Sequence, residues 1–207
     1  MSLPQPLAKP AAAAWPLAVN FPLGEGAGPL DVVFENRAAL RFDLGGADGG
    51  LRRALFRLDG QLAKLPDPGW IRVEGRAARL DLDGWTDVVI GEILQGSGMG
   101  ALELEPGNLE ASETLFLDRL FTDVGMQFSV EDEHFKAVFR SESLDGELRF
   151  RPGSAGSSSL TAEFERLVLG DPVSTGMQME TDPSGLPALH LYARSFSYAG
   201  VELGETR

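Results

Sequence analysis

Met126-Gln127-Phe128-Ser129-Val130-Glu131-Asp132-Glu133-His134-Phe135-Lys136-Ala137-Val138-Phe139-Arg140 decides the fold. Met126, Phe128 and Val130 alternate with Gln127, Ser129 and Glu131, and Phe135, Ala137 and Phe139 alternate with Lys136, Val138 and Arg140. A period of two is the repeat of a strand whose successive side chains point to opposite faces. The acidic stretch Glu131 to His134 reads as the turn between two such strands.

The pattern continues outward in both directions. Leu148 and Phe150 sit between Glu147, Arg149 and Arg151, and Leu160, Ala162 and Phe164 between Thr161, Glu163 and Glu165. Turns are expected at Asp145-Gly146 and across Pro152 to Ser159. The whole predicts a mainly β, antiparallel meander with one apolar and one charged face, forming a curved open sheet or groove. Residues 170–185 read as a linker, and 186–207 as the start of a further strand series through Leu189–Ala193 and Gly200–Leu203. Upstream, Asp31–Glu35 and Ala39–Leu44 read as strands paired around Asn36, followed by Leu55–Leu58, Trp70–Glu74 and a short strand over Ala78–Asp83. Residues 30–169 thus form the main β region. Residues 1–29 carry six prolines and the run Ala11–Ala14, and are expected as a flexible lead-in, with a strand over Trp15–Phe21.

One short amphipathic helix is expected near residues 84–95. Trp85, Val88, Val89 and Ile93 recur at helical spacing, Asp83 is placed as its cap, and Gly96 ends it.

Composition narrows the function. The 207 residues include 25 Gly and 13 Pro, which favours many short elements joined by turns. The formal net charge of −13 argues against nucleic acid and against docking on an anionic membrane surface, both of which call for a basic footprint. With no cysteine, disulfides and thiolate metal sites are absent. No apolar run approaches the ~20 residues that span a bilayer as a helix. The amino-terminal residues do not form a signal peptide, and the alternating pattern at the carboxy-terminal end predicts that the sheet continues in a longer parent chain.

Positioned chemistry is sparse. His134 in the acidic turn and His190 on the polar side of a strand read as solvated histidines, and Glu131 with His134 lacks the helices and the second copy of a di-iron motif. Asp81 and Asp83 share one side of a strand, but glycosidase carboxylates come from separate elements across a cleft. Gly45–Gly50 and Gly24–Gly28 match no calcium-repeat array and no phosphate loop. The expectation is a chain that is not an enzyme, with no cofactor and no metal.

What remains is the apolar stripe of Met126, Phe128, Val130, Phe135, Phe139, Leu148, Phe150, Leu160 and Phe164. It suits two readings. In one it is the core of a closed sandwich, and the chain is a non-catalytic structural or interaction domain. In the other it lines an open groove and holds lipid acyl chains, each buried CH₂ contributing ~0.8 kcal/mol without any specific polar contact.

Longer stretches favour the second. Pro68–Arg76 followed by Leu80-Asp81-Leu82-Asp83-Gly84-Trp85, then Phe164–Leu169, Asp182–Leu189 and Phe196–Gly204, resemble in order and spacing the AsmA-like bacterial envelope proteins of the YhdP type. The resemblance covers about residues 30–207. It implies the periplasmic part of an inner-membrane-anchored protein of Gram-negative bacteria, whose apolar β groove moves phospholipid between the inner and outer membranes and supports outer-membrane integrity. Partners implied are phospholipid acyl chains and neighbouring β segments of the parent chain. The family carries no catalytic motif. Open sheet edges further predict self-association through Leu189–Ala193 or the first strands.

Overall fold

The computed structural model describes residues 3–8, 12–24, 28–45, 50–88, 102–132, 134–151, 159–173 and 188–206. The protein is mainly β, and its described residues form thirteen strands in one open mixed sheet that does not close into a barrel. In chain order the strands are β1 (Leu17–Asn20), β2 (Leu30–Phe34), β3 (Ala38–Leu44), β4 (Leu51–Leu58), β5 (Trp70–Asp81), β6 (Glu103–Leu104), β7 (Gly107–Phe116), β8 (Arg119–Glu131), β9 (His134–Arg140), β10 (Leu144–Arg151), β11 (Ser159–Leu169), β12 (Ala188–Tyr198) and β13 (Val201–Thr206). Neighbours in sequence are neighbours in the sheet, except that β6 lies off the path beside β5, where β7 also pairs. Among the described residues the meander is interrupted by parallel pairings of β4 with β5, β5 with β6 and β11 with β12. Two compact units divide the chain, Met1–Ala111 and Ser112–Arg207.

In the first unit the hairpin around Asn36 forms as expected, with Val32 opposite Leu40 and Asp31 opposite Arg41. Two expectations are corrected. Ala78–Asp83 is not a separate strand, because β5 runs unbroken from Trp70 to Asp81. It passes through Gly75 at φ 121°, where a Cβ would stand 2.6 Å from the Leu58 carbonyl oxygen, so only glycine keeps the strand in register there. The helix, α1 (Leu82–Val88), starts two residues before Gly84, because Asp81 and not Asp83 is its cap: Asp81 Oδ1 accepts the Gly84 amide at 2.8 Å. Ile93 and Gly96, read as its later turns and its end, lie outside the described residues. Within the proline-rich opening, Pro4 and Pro6 are buried, and the Gln5 carbonyl accepts from the Asp81 amide at 3.2 Å and from Trp85 Nε1 at 2.8 Å.

In the second unit β8 turns into β9 between Glu131 and His134, as the acidic stretch indicated. The turn expected at Asp145-Gly146 is also corrected. The chain reverses at Ser141–Ser143, where Ser141 Oγ accepts the Leu144 amide at 2.9 Å and the Ser141 amide donates to the Leu144 carbonyl at 2.8 Å. Gly146 instead sits inside β10 at a bulge, where a Cβ would meet the Glu163 carbonyl oxygen at 2.4 Å. The turn over 152–158 and most of the 170–185 linker lie outside the described residues.

Candidate functional site

The registers of the second unit gather the apolar stripe into rows. Val130 pairs with Phe135, Phe135 with Phe150 and Phe150 with Leu160. The next row runs Phe128, Ala137, Leu148, Ala162, Leu191, and the third Met126, Phe139, Gly146, Phe164, Ala193. Directly opposed residues share a face, so all nine residues expected from the sequence lie on one continuous surface of β8–β11. The third row is the floor. Phe139 and Phe164 are each 2% exposed, and Met126 is buried beside them. The first row is the rim: Val130 is 47% exposed, while Phe135, Phe150 and Leu160 are partly buried, as is Leu148 in the row between.

This burial comes from the sheet itself. Among the described residues of this unit there are strands and turns and no helix. Strands two apart are ~9.6 Å distant, yet the Phe116 ring on β7 stacks on Phe139 of β9 with centroids 5.3 Å apart. That contact makes the face locally concave. Phe116 also meets Phe121 at 6.5 Å, and Phe128 stacks against Phe135 at 6.2 Å. At Asp123 (φ 49°) the inward set of β8 changes parity from Phe121 to Val124, and Val124 then leads the even-numbered series through Phe128. The sequence reading missed Leu109, Ala111, Phe116, Phe121 and Val124, all buried, because parity changes along β7 and β8 break the simple alternation that would reveal them.

The opposite face is charged. Glu147 pairs with Lys136 at 3.4 Å and with Arg149, and Glu165 with Arg194 at 2.8 Å. In the first unit the same division holds. Cross-strand pairs Asp31–Arg41 (2.7 and 2.9 Å), Asp43–Arg53 (2.8 Å) and Arg57–Glu74 (3.3 Å) line one face. Arg72 binds Glu105 through two nitrogens at 2.6 and 2.9 Å, and those hydrogen bonds hold the Glu105 carboxyl below its ordinary value.

The groups with catalytic potential are dispersed. His134 Nδ1 lies 2.7 Å from the Asp132 carbonyl, across the turn from Glu131, while His190 is exposed on β12. Asp81 is committed to capping α1. Among the described residues no three His, Cys, Asp or Glu side chains gather as a metal site would require, and no helix is long and apolar enough to cross a membrane.

A family model described as "YhdP protein" matches residues 1–207. No curated protein and no solved structure matches.

Proposed function

The chain belongs to the YhdP family of AsmA-like bacterial envelope proteins, and from that premise we propose that it is a segment of a lipid-conducting surface. In this reading the second-unit face holds phospholipid acyl chains in the periplasm and takes part in phospholipid transport between the inner and outer membranes. One observation carries the reading: an apolar surface in unbroken cross-strand register grades from a sealed floor at Phe139 and Phe164 to an exposed rim at Val130. A surface that floats free in water gains nothing from continuity across four strands, whereas a hydrocarbon chain lying along it gains ~0.8 kcal/mol for each CH₂ removed from water. The charged opposite face keeps the sheet from collapsing on itself through both sides.

The test is photo-crosslinking. A photoactivatable residue at Val130 or Phe150, with the chain incubated with mixed zwitterionic and anionic phospholipid vesicles, is expected to yield adducts of phospholipid mass. The same group at Arg149, on the charged face, is expected to yield none. Absence of adducts at both apolar positions, or equal yield at all three, overturns the reading.

A further inference from the structure

The two end strands of the sheet are not equally defended against a further strand. β13 carries Glu202 and Glu205, passes through Gly204 at φ 79°, and is irregular in its register with β12. An incoming strand meets charge and a distorted backbone there. β1 has none of these devices. Leu17-Ala18-Val19-Asn20 is uncharged and pairs with β2 without a register shift, and Leu17 and Val19 are 54% and 58% exposed.

The outward backbone groups of β1 follow from its pairing. The Glu35 amide donates to the Pro16 carbonyl at 3.2 Å, which makes Pro16 and Glu35 a hydrogen-bonded pair beside Leu17 and Phe34. Antiparallel pairs alternate between bonded and non-bonded. Ala18 and Asn20 therefore turn their N–H and C=O toward β2, and Leu17 and Val19 turn theirs away. β1 is terminal in the strand order, and among the described residues no strand receives those groups. Proline is the usual guard of an edge, but Pro16 lacks its N–H on the β2 side and leaves the outer side intact.

This edge is complementary to itself. A two-fold axis at Ala18 sets Leu17 opposite Val19 of a second copy, and Val19 opposite its Leu17. These are the residues with outward groups, so the pairing closes about four backbone hydrogen bonds. The same register carries Trp15 to Phe21 of the second copy, aromatic against aromatic, and Phe21 is 57% exposed. Between them Ala18 meets Ala18, and Pro16 meets Asn20. No charge is buried. Because Val19 stands in the row of Val32, Leu40 and Phe56, the apolar row of one first unit runs on into that of the other.

We propose that β1 is a dimerisation edge, through which two copies of this chain pair antiparallel about Ala18. The other edge pairings are worse. β13 with itself brings the Glu202 and Glu205 carboxylates of two acidic chains together, and β1 with β13 is head-to-tail and leaves an open edge at each end. A contact of one short strand is small, so the dimer is weak and forms at high protein concentration.

The experiment reads association by sedimentation equilibrium from about 10 μM to about 1 mM. Its register is read by disulfide trapping, in a chain that has no cysteine of its own. A concentration-dependent dimer is expected. Val19→Pro removes an outward N–H and no bond to β2, and is expected to raise the dissociation constant about tenfold or more; Leu203→Lys, on β13, is expected to leave it unchanged. Ala18→Cys is expected to form an intermolecular disulfide on mild oxidation, because the non-bonded pair at the axis brings its Cα atoms to ~4.5 Å. Asn20→Cys is expected to form none, since four residues of strand, ~14 Å, separate it from its counterpart. A monomer throughout the range, which leaves the edge to a strand of another kind, overturns the proposal. So does a dimer untouched by Val19→Pro or lost with Leu203→Lys, or equal trapping at positions 18 and 20. If Val19→Pro loses its β signal in circular dichroism, the two cysteine variants, both at exposed side chains, decide.

Discussion

The face of the second unit predicts that two phenylalanines on the same stripe do opposite things. Phe164 lies on the floor, 2% exposed, between Gly146 and Ala193 in register. Its truncation to alanine leaves a cavity among fully buried neighbours, and a loss of ~3–5 kcal/mol is expected. Phe150 lies on the rim between Phe135 and Leu160, already partly exposed, so its truncation forfeits only about 1 kcal/mol. With a urea m-value of ~2 kcal/mol/M, the midpoint falls by ~2 M for Phe164→Ala and by ~0.5 M for Phe150→Ala. Acyl binding runs the other way. Loss of a rim ring removes about 1 kcal/mol of contact with the guest, a fall of about fivefold in affinity for a fluorescent acyl probe. Phe164→Ala, measured where it is still folded, changes that affinity less. Equal midpoint shifts for the two variants would refute the reasoning, because the rim would then be sealed core. So would a Phe150→Ala protein that binds the probe undiminished.

Three further outcomes are expected. Thr114 is fully buried with Oγ1 lacking any hydrogen-bond partner, so Thr114→Val removes a desolvation cost and raises stability by ~1 kcal/mol, or ~2–4 °C in Tm by calorimetry. Arg41→Met strands the buried Asp31 carboxylate and the Ala63 carbonyl together; a loss of ~2–3 kcal/mol and faster proteolytic nicking within residues 59–69 are expected in a timed digest. The depressed Glu105 carboxyl, hydrogen-bonded to Arg72, contributes stability that is complete above the carboxyl's ordinary pKa and is lost as pH falls through its lower folded value. Glu105→Gln is therefore expected to flatten the acid limb of the stability profile slightly and to leave its slope near neutral pH unchanged.

Strands announced themselves where alternation was clean and vanished where it was not. Met126 to Arg140 reads correctly as a hairpin because both strands keep parity up to an acidic turn, and that parity also assigns the nine stripe residues to one face. Three features escaped for identifiable reasons. Asp145-Gly146 has the composition of a hairpin turn, but the Ser141 hydroxyl closes the reversal earlier, and Gly146 is required by close approach of the neighbouring backbone. Asp81 and Asp83 are equally good caps in one dimension; only the path of β5 decides that Asp81 is the residue at the helix start. The distinction between floor and rim has no sequence signature at all. Phe139 and Phe150 are the same residue in the same pattern, and their burial differs because Phe116, on a strand two places away, covers one and not the other.

The parallel pairing of β4 with β5 sends the chain between them over the charged face of the first unit. Parallel neighbours need a crossover, and a crossover must lie over one face of the sheet. Residues 59–69 cross the charged face. There Arg41 donates to the Ala63 carbonyl at 2.9 Å and Arg53 to the Pro66 carbonyl at 3.2 Å, while Pro66 in the strap and Leu55 on β4 are both fully buried. On the apolar face the same irregular backbone would leave its carbonyls without donors, at a cost of ~1–3 kcal/mol each. The guanidinium groups thus do two jobs. They pair with carboxylates across the strands, and they give the crossover a polar bed, which keeps it off Leu40, Phe42 and Phe56. An Arg-rich face is in this sense the physical reason that this crossover lies on the charged side of the sheet.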